Sequence, residues 1–311
     1  MNILLTGSSG FIGSHVLDLL VAFGHRVQTV DMLEERVHGV PYTGAHVPRI
    51  VRRAADISYA DVAACDVLVH LAAQVGVADS MASPFRYLEQ NGGDTMALLQ
   101  TVEQAHRNGV GPSRLVVASS MSVYGDAGQL VDEDAPVNPA SVYALSKYDQ
   151  ERLVLMYADA LAVDALALRF FNVYGPRQAL NNPYTGVLAN FAKRLLAGES
   201  PIVYEDGQQT RDFVYVEDVA EAVARAATSG APSGVYNICT GHATTIEGIA
   251  RQLALALNRA DLMPLITHET RPGDVRHCTG SPRKAKRELG FSASVPLAAG
   301  LARYAAWLVK Q

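Results

Sequence analysis

Cysteine is scarce: the 311 residues include only Cys65, Cys239 and Cys278, far apart and odd in number. No two of them form a Cys-x-x-Cys pair, which argues against a disulfide framework or a structural zinc site. The nine histidines supply no His-x-x-x-His and no His-Glu-x-x-His, so no metal site is expected. Basic residues are outnumbered, 26 against 31 acidic, giving a net charge of −5 with no basic cluster. A nucleic-acid partner is therefore not expected. Long apolar runs are missing too. A membrane span needs roughly 18 consecutive apolar residues, and the best candidate, Leu153 to Phe171, is broken by Asp159 and Asp164. No membrane partner is expected. The N-terminus opens directly into an apolar strand without the basic stretch of a signal peptide, which points to a cytoplasmic protein. There is no internal repeat and no low-complexity tract.

What the chain does have is material for a core. Hydrophobic residues make up 49% and charged residues 18%, which excludes the disordered class. The length suits about two domains. Asn2 to Thr6 reads as a buried strand, Phe11 to Phe23 as a helix stopped by Gly24, and Arg26 to Asp31 as a second strand. The alternation continues with a strand at Asp66 to Leu71, a long helix at Ser83 to His106 and a strand at Arg114 to Ala118. It ends with a helix at Val142 to Asp159 and a strand at Asp164 to Phe171. Such alternation predicts an α/β fold, a doubly wound parallel sheet of the Rossmann type, with a smaller α/β C-terminal substrate domain. Asn172 to Tyr184 reads as a long loop and Leu297 to Val309 as a closing helix. The predicted division assigns 1–172, plus about 213–240 crossing back, to the dinucleotide domain. Residues 173–212 and 241–311 form the substrate domain.

Gly7-Ser8-Ser9-Gly10-Phe11-Ile12-Gly13 lies between the first strand and the first helix. Glycine there permits a tight turn, lets backbone approach a pyrophosphate, and lets the helix pack closely on the strand. The helix N-terminus offers free N–H groups to phosphate. Asp31, 18 residues past Gly13, ends the second strand. A carboxylate there would accept from the adenosine ribose and repel a 2′-phosphate, favouring NAD over NADP. Asp56, after a strand around Ile50, is placed to reach the adenine, while Arg36 reads as a solvated arginine.

Tyr143 and Lys147 are four residues apart in a helical segment and share a face. Ser120 closes a strand of the same sheet, at the edge where doubly wound folds bind ligands. A tyrosine base must lose about 3 pKa units, about 4 kcal/mol, to work near neutrality. A partly buried Lys147 and a positively charged nicotinamide together could supply that.

The chain resembles the extended short-chain dehydrogenase/reductases, specifically the nucleotide-sugar epimerases and dehydratases. The resemblance rests on Thr6 to Gly13, His70-Leu71-Ala72-Ala73, Ser119 to Gly125, Tyr143 to Lys147, Arg169 to Arg177, Arg211 to Val219 and Arg271 to Asp274. It implies a tightly held NAD and a nucleoside-diphosphate sugar as ligands. Tyr143 would remove the C4 hydroxyl proton, Lys147 would lower the tyrosine pKa and bind the nicotinamide ribose, and Ser120 would hydrogen-bond the reacting oxygen. Phe11, Ile12, Ile57, Leu71, Ala72, Ala73 and Asn91 join the cofactor's surroundings. Ser120, Ser122, Asn172, Arg211 and Arg271 would hold the substrate, the arginines forking onto its diphosphate. A homodimer built on the helices Ser83–His106 and Val142–Asp159 is also implied.

Dehydratases of the family follow the serine equivalent to Ser120 with an Asp-Glu pair, and decarboxylases also want a glutamate at the second of these positions. Here Met121 and Ser122 stand there. Methionine cannot exchange a proton and an unassisted serine is a poor base. A 4-epimerase needs neither acid. Uronate epimerases carry Thr at the position of Asn172 and an arginine two places after Arg177, where this chain has Ala179. Tyr174 to Val187 most resembles dTDP-sugar 4-epimerases acting on dTDP-L-rhamnose. UDP-glucose/galactose or GDP-sugar epimerisation, and reduction of a 4-keto nucleotide sugar, stay open.

Overall fold

The computed structural model describes residues 1–34, 42, 44, 47, 49–180, 186–270 and 275–311. Seven strands form one sheet: β1 (Asn2–Thr6), β2 (Arg26–Asp31), β3 (Arg49–Val51), β4 (Val67–His70), β5 (Arg114–Ser120), β6 (Asp164–Phe170) and β7 (Gly234–Ile238). Their order is β7-β6-β5-β4-β1-β2-β3, and every neighbouring pair is parallel. This is the doubly wound topology, with its switch point between β1 and β4, where a crevice opens at the strands' carboxyl ends.

Strand residues alternate between two cores, as the period of two requires. Ile3, Leu5, Val69 and Val116 face a core shared with Val16 and Leu20 of α1 (Phe11–Ala22). Leu4, Leu68, Leu115 and Val117 face the other, with Leu98 and Val102 of α2 (Asp94–Arg107) and Val154 of α3 (Val142–Leu161). Because both faces are covered, the strands are continuous apolar runs, and all seven residues of β5 are buried. The helix α4 (Val216–Thr228) adds Val219 and Val223 to the α1 side, and its chain continues into β7 at the sheet edge.

Beyond the large sheet, the helices Val187–Leu196, Ile246–Ala256 and Leu297–Leu308 enclose a third core rich in tyrosine: Tyr174, Tyr215 and Tyr304. A four-stranded sheet joins Thr244–Thr245, Thr210–Arg211 and His277–Gly280 to Gly128–Val131. That last strand comes from the first half of the chain, so residues 1–172 also contribute to the C-terminal part.

Two elements differ from expectation. The helix predicted over Ser83–His106 is interrupted, with a short helix at Pro84–Tyr87, a π-helical turn at Leu88–Gly93, and then α2. Gly92 and Gly93 are poor helix formers, and the Asn91 side chain is drawn inward to hydrogen bonds described below. The predicted loop opens instead as a strand, Asn172–Tyr174, paired in parallel with Phe213–Tyr215. Its apolar partner lies 41 residues away, beyond the reach of local pattern. Residues 181–184 of that loop, Thr185 after it, and Arg36 lie outside the described residues. Cys65, Cys239 and Cys278 are buried and unpaired. No helix among the described residues is long and apolar enough to cross a membrane.

Candidate active site

The glycine loop turns at the carboxyl end of β1. Gly7 has φ +71°, and a Cβ there would lie 2.8 Å from the Ala72 backbone nitrogen. A Cβ on Gly13 would lie 2.0 Å from the Gly7 carbonyl oxygen, so helix and loop touch backbone to backbone. Gly10 caps α1 without a side-chain hydrogen bond, which leaves the helix N-terminus open to a ligand. The Ser8 and Ser9 hydroxyls are buried in this loop and have no protein partner. A cradle only glycine can line, an open helix end and two orphaned hydroxyls together fit a dinucleotide pyrophosphate.

Asp31 ends β2 nearly buried, accepting from the Ser9 backbone N–H at 2.8 Å and from Leu33 N–H at 2.9 Å. The glycine loop and this carboxylate are thereby one unit. Asp56 closes a 3₁₀ turn after β3 with its side chain exposed, and Ile57 behind it is buried. Leu71, Ala72 and Ala73 follow β4, half-buried, opposite Gly7.

The predicted catalytic trio comes together. Ser141 starts α3, its hydroxyl accepting from Ala144 N–H at 3.1 Å, and so fixes where Tyr143 and Lys147 fall on the helix. Ser120, at the end of β5, stands near enough to Tyr143 for its hydroxyl to lower the phenol's pKa. Its Oγ also accepts from the Ser122 backbone N–H at 3.2 Å and from the Ser122 hydroxyl at 2.8 Å. With two donors aimed at it, the Ser120 oxygen must direct its own proton outward, as a donor. Burial raises the Tyr143 phenol and the Ser120 hydroxyl pulls it back in part. Burial pushes the Lys147 ammonium down to about 7, opposed by the Glu151 carboxylate. Glu151 itself is locked in a buried ion pair with Arg169 at 2.6 Å and accepts from the Ser119 hydroxyl at 2.6 Å.

Asn172 and Arg211 are also brought together. Asn172 N–H donates to the Asp212 carbonyl at 2.9 Å, one residue past Arg211. The Asn172 Oδ1 atom is buried without a protein partner. Arg211 is nearly buried, one nitrogen donating to the carbonyls of Thr210 and Arg276. Arg271 lies outside the described residues.

Sequence reasoning missed a polar chain buried behind Lys147. Lys147 Nζ donates to Gln150 Oε1 at 2.6 Å, and Gln150 Nε2 donates to Thr95 Oγ1 at 2.8 Å. His70 lies between Thr6 Oγ1 at 2.8 Å and Thr95 Oγ1 at 2.9 Å. Burial, then the Lys147 cation, hold His70 down to about 3, so it is neutral. The signal for Gln150 was available, three residues past Lys147 and on the same helix face. Asn91 has its amide bonded to the Gln74 carbonyl and Ser146 hydroxyl, and its oxygen to Gln74 N–H. It props the segment after β4 against α3.

A model described as the NAD dependent epimerase/dehydratase family matches residues 3–239. A UDP-glucose 4-epimerase of Mycolicibacterium smegmatis is 34% identical over 314 residues, covering 97% of this chain and 97% of that protein. A dTDP-L-rhamnose 4-epimerase of Burkholderia thailandensis is 29% identical over 357 residues, covering 99% and 95%. The crystal structure of a Thermotoga maritima UDP-glucose 4-epimerase with UDP-glucose superposes with a TM-score of 0.89 at 31% identity, covering 100% of this chain and 99% of that one.

Proposed function

The chain belongs to the NAD dependent epimerase/dehydratase family, and from that premise we propose that it inverts C4 of a nucleoside-diphosphate hexose through a transient 4-keto sugar. The sugar we assign is a dTDP-6-deoxyhexose such as dTDP-L-rhamnose. Supporting the epimerase reading over elimination or decarboxylation is the pair after Ser120: Met121 has no proton to exchange, and the Ser122 hydroxyl is directed onto Ser120 Oγ at 2.8 Å. The sugar assignment draws on the half-buried, small, apolar Ala179 and on the 29% identical dTDP-L-rhamnose epimerase. A UDP-glucose reading is favoured by the 34% identical relative.

The residues fit NAD, whose bound nicotinamide supplies a reversible hydride acceptor for C4. The Gly7–Gly13 loop, with Phe11 and Ile12 opening α1, would hold the pyrophosphate. Asp31 would hold the adenosine ribose, Asp56 and Ile57 would flank the adenine, and Leu71 to Ala73 would line the path to Lys147. Tyr143 Oη, ionised, takes the proton of the sugar O4 and later gives it back. Ser120 donates to the same oxygen, and that donor matters most when O4 carries developing negative charge. In the protein alone Tyr143 is raised by burial, so its working ionisation depends on Lys147 as a cation and on a charged ring beside it. Asn172, Arg211 and Arg271 would hold the diphosphate while the keto sugar turns over in the pocket. Leu145 and Met156, exposed on α3, would be covered by a second copy in a homodimer.

The purified protein, incubated with dTDP-L-rhamnose, UDP-glucose, UDP-galactose and a GDP-hexose, should yield C4 epimers with no change in NADH absorbance, fastest with dTDP-L-rhamnose. Faster UDP-glucose turnover would transfer the assignment to that sugar. Cofactor consumed mole for mole with product would replace epimerase by 4-keto reductase.

A further inference from the structure

Hydrogen positions in the chain behind Lys147 can be assigned from its heavy atoms. Thr95 Oγ1 lies 2.6 Å from the Asn91 carbonyl, which can only accept, so the Thr95 proton points there. Thr95 Oγ1 is then an acceptor for both His70 Nε2 and Gln150 Nε2. Thr6 Oγ1 accepts from the Ala72 backbone N–H at 3.2 Å and lies 2.8 Å from His70 Nδ1. Because the Thr95 proton is committed to the Asn91 carbonyl, the 2.9 Å contact to Thr95 Oγ1 takes its proton from His70 Nε2, and Gln150 Nε2 lies 3.2 Å from that same nitrogen. Gln150 has one workable orientation. Flipped, its NH₂ would face the Lys147 ammonium and its oxygen would face a hydroxyl already donating elsewhere. Gln150 Nε2 also reaches the Ala72 carbonyl at 3.4 Å, and Gln150, Thr95, Thr6 and His70 are buried.

We infer that Gln150 is a positioning residue for the proposed epimerisation: its amide, fixed by Thr95, holds the Lys147 ammonium in place and keeps it charged beside Tyr143. This rests on the assignment of Tyr143 as base. An amide oxygen accepts a hydrogen bond without taking up the proton, so Gln150 stabilises the cation without cancelling its charge. A carboxylate there would cancel it. The charged and titratable groups around Lys147 are Tyr143 and Glu151 on α3, the latter paired with Arg169 of β6, and neutral His70 of β4. Tyr87 packs edge-on against the Tyr143 ring at 6.4 Å. Beside these groups, the Gln150 Oε1 atom lies on Nζ at 2.6 Å.

The test is the ionisation midpoint of Tyr143 in the NAD-loaded protein, read by ultraviolet difference titration against Tyr143→Phe, with no sugar present. Gln150→Met keeps the length and removes the acceptor, Gln150→Glu keeps the shape and adds a negative charge, and Thr95→Val releases the far end of the amide. We expect the midpoint to rise by about one pH unit in Gln150→Met and Gln150→Glu, and by less in Thr95→Val. Where an epimerised sugar has been found, the acid limb of its rate profile should move by the same amount, with KM little changed. An unmoved midpoint in Gln150→Glu and Thr95→Val, with NAD retained, would overturn the proposal, whether or not Gln150→Met folds. If the wild-type protein epimerises no nucleotide sugar, the proposed function fails while the titration still decides the role of Gln150.

Discussion

At the end of the crevice proposed to hold NAD the site is built from backbone, and at the proposed reacting end from side chains gathered over long distances. Gly7 and Gly13 make their surface by having no Cβ, within seven consecutive residues and one strand-to-helix turn. Ser120, Tyr143 and Lys147 meet from β5 and α3, and Lys147 is held from behind by a chain that draws on β1, β4 and α2 as well. The first construction tolerates almost no added atom. The second tolerates changes of shape but depends on the charge and hydrogen-bond direction of each group.

Substitutions at the two ends should therefore fail differently. Tyr143→Phe removes one hydroxyl and no packing volume. Turnover should fall about 10³-fold or more, in the range expected for loss of general acid–base catalysis, while bound NAD is retained and stability changes by no more than about 1 kcal/mol. Single-turnover rates alongside a denaturant melt would check both halves, and a variant keeping a tenth of wild-type rate would break the assignment. Gly13→Ala is the opposite case. Its added methyl meets the Gly7 carbonyl oxygen at 2.0 Å and the Ser8 Cα at 3.0 Å, all backbone with no flexible end to give way. Stability should drop by about 3 kcal/mol and the protein should purify without NAD. A stable Gly13→Ala that still binds the cofactor would show that this turn relaxes more readily than its contacts imply.

The same contrast governs what the sequence could reveal. The glycine loop, the carboxylate 18 residues on, and the short apolar strand runs are local patterns, and each was found where it was expected. Tyr143 and Lys147 were legible because one helix carries both. The Asn172–Tyr174 strand was hidden because its pairing with Phe213–Tyr215 joins residues 41 apart. The break at Leu88–Gly93 was hidden because the apolar spacing runs on through it, whereas the Asn91 side chain that stabilises the break bonds to Gln74 and Ser146. His70 stood within a recognised motif yet had no role until Thr6, Thr95 and Gln150 were seen around it. Side-chain networks between distant elements leave no period in a sequence.

The smallest expected effect comes from that network and depends on pH. His70 is held at about 3 in the fold against about 6.5 when unfolded. The unfolded chain takes up a proton below about 6.5 that the folded chain refuses, so stability is complete above that pH and is lost as pH falls toward 3. At pH 5 the loss should be about 2 kcal/mol relative to pH 7. Lys147, held at about 7 against 10.5, acts in a separate window: its burial cost is complete below pH 7 and is relieved as pH rises toward 10.5. Between pH 7 and 5 the two are thus separable. Denaturant midpoints at those two pH values should fall further for the wild type than for His70→Asn, which is less stable at pH 7 because Thr6 and Thr95 lose their partner. Parallel curves would mean that His70 accepts its proton in the fold, and the reacting end would then rest on a charge that the hydrogen-bond directions around Thr95 do not accommodate.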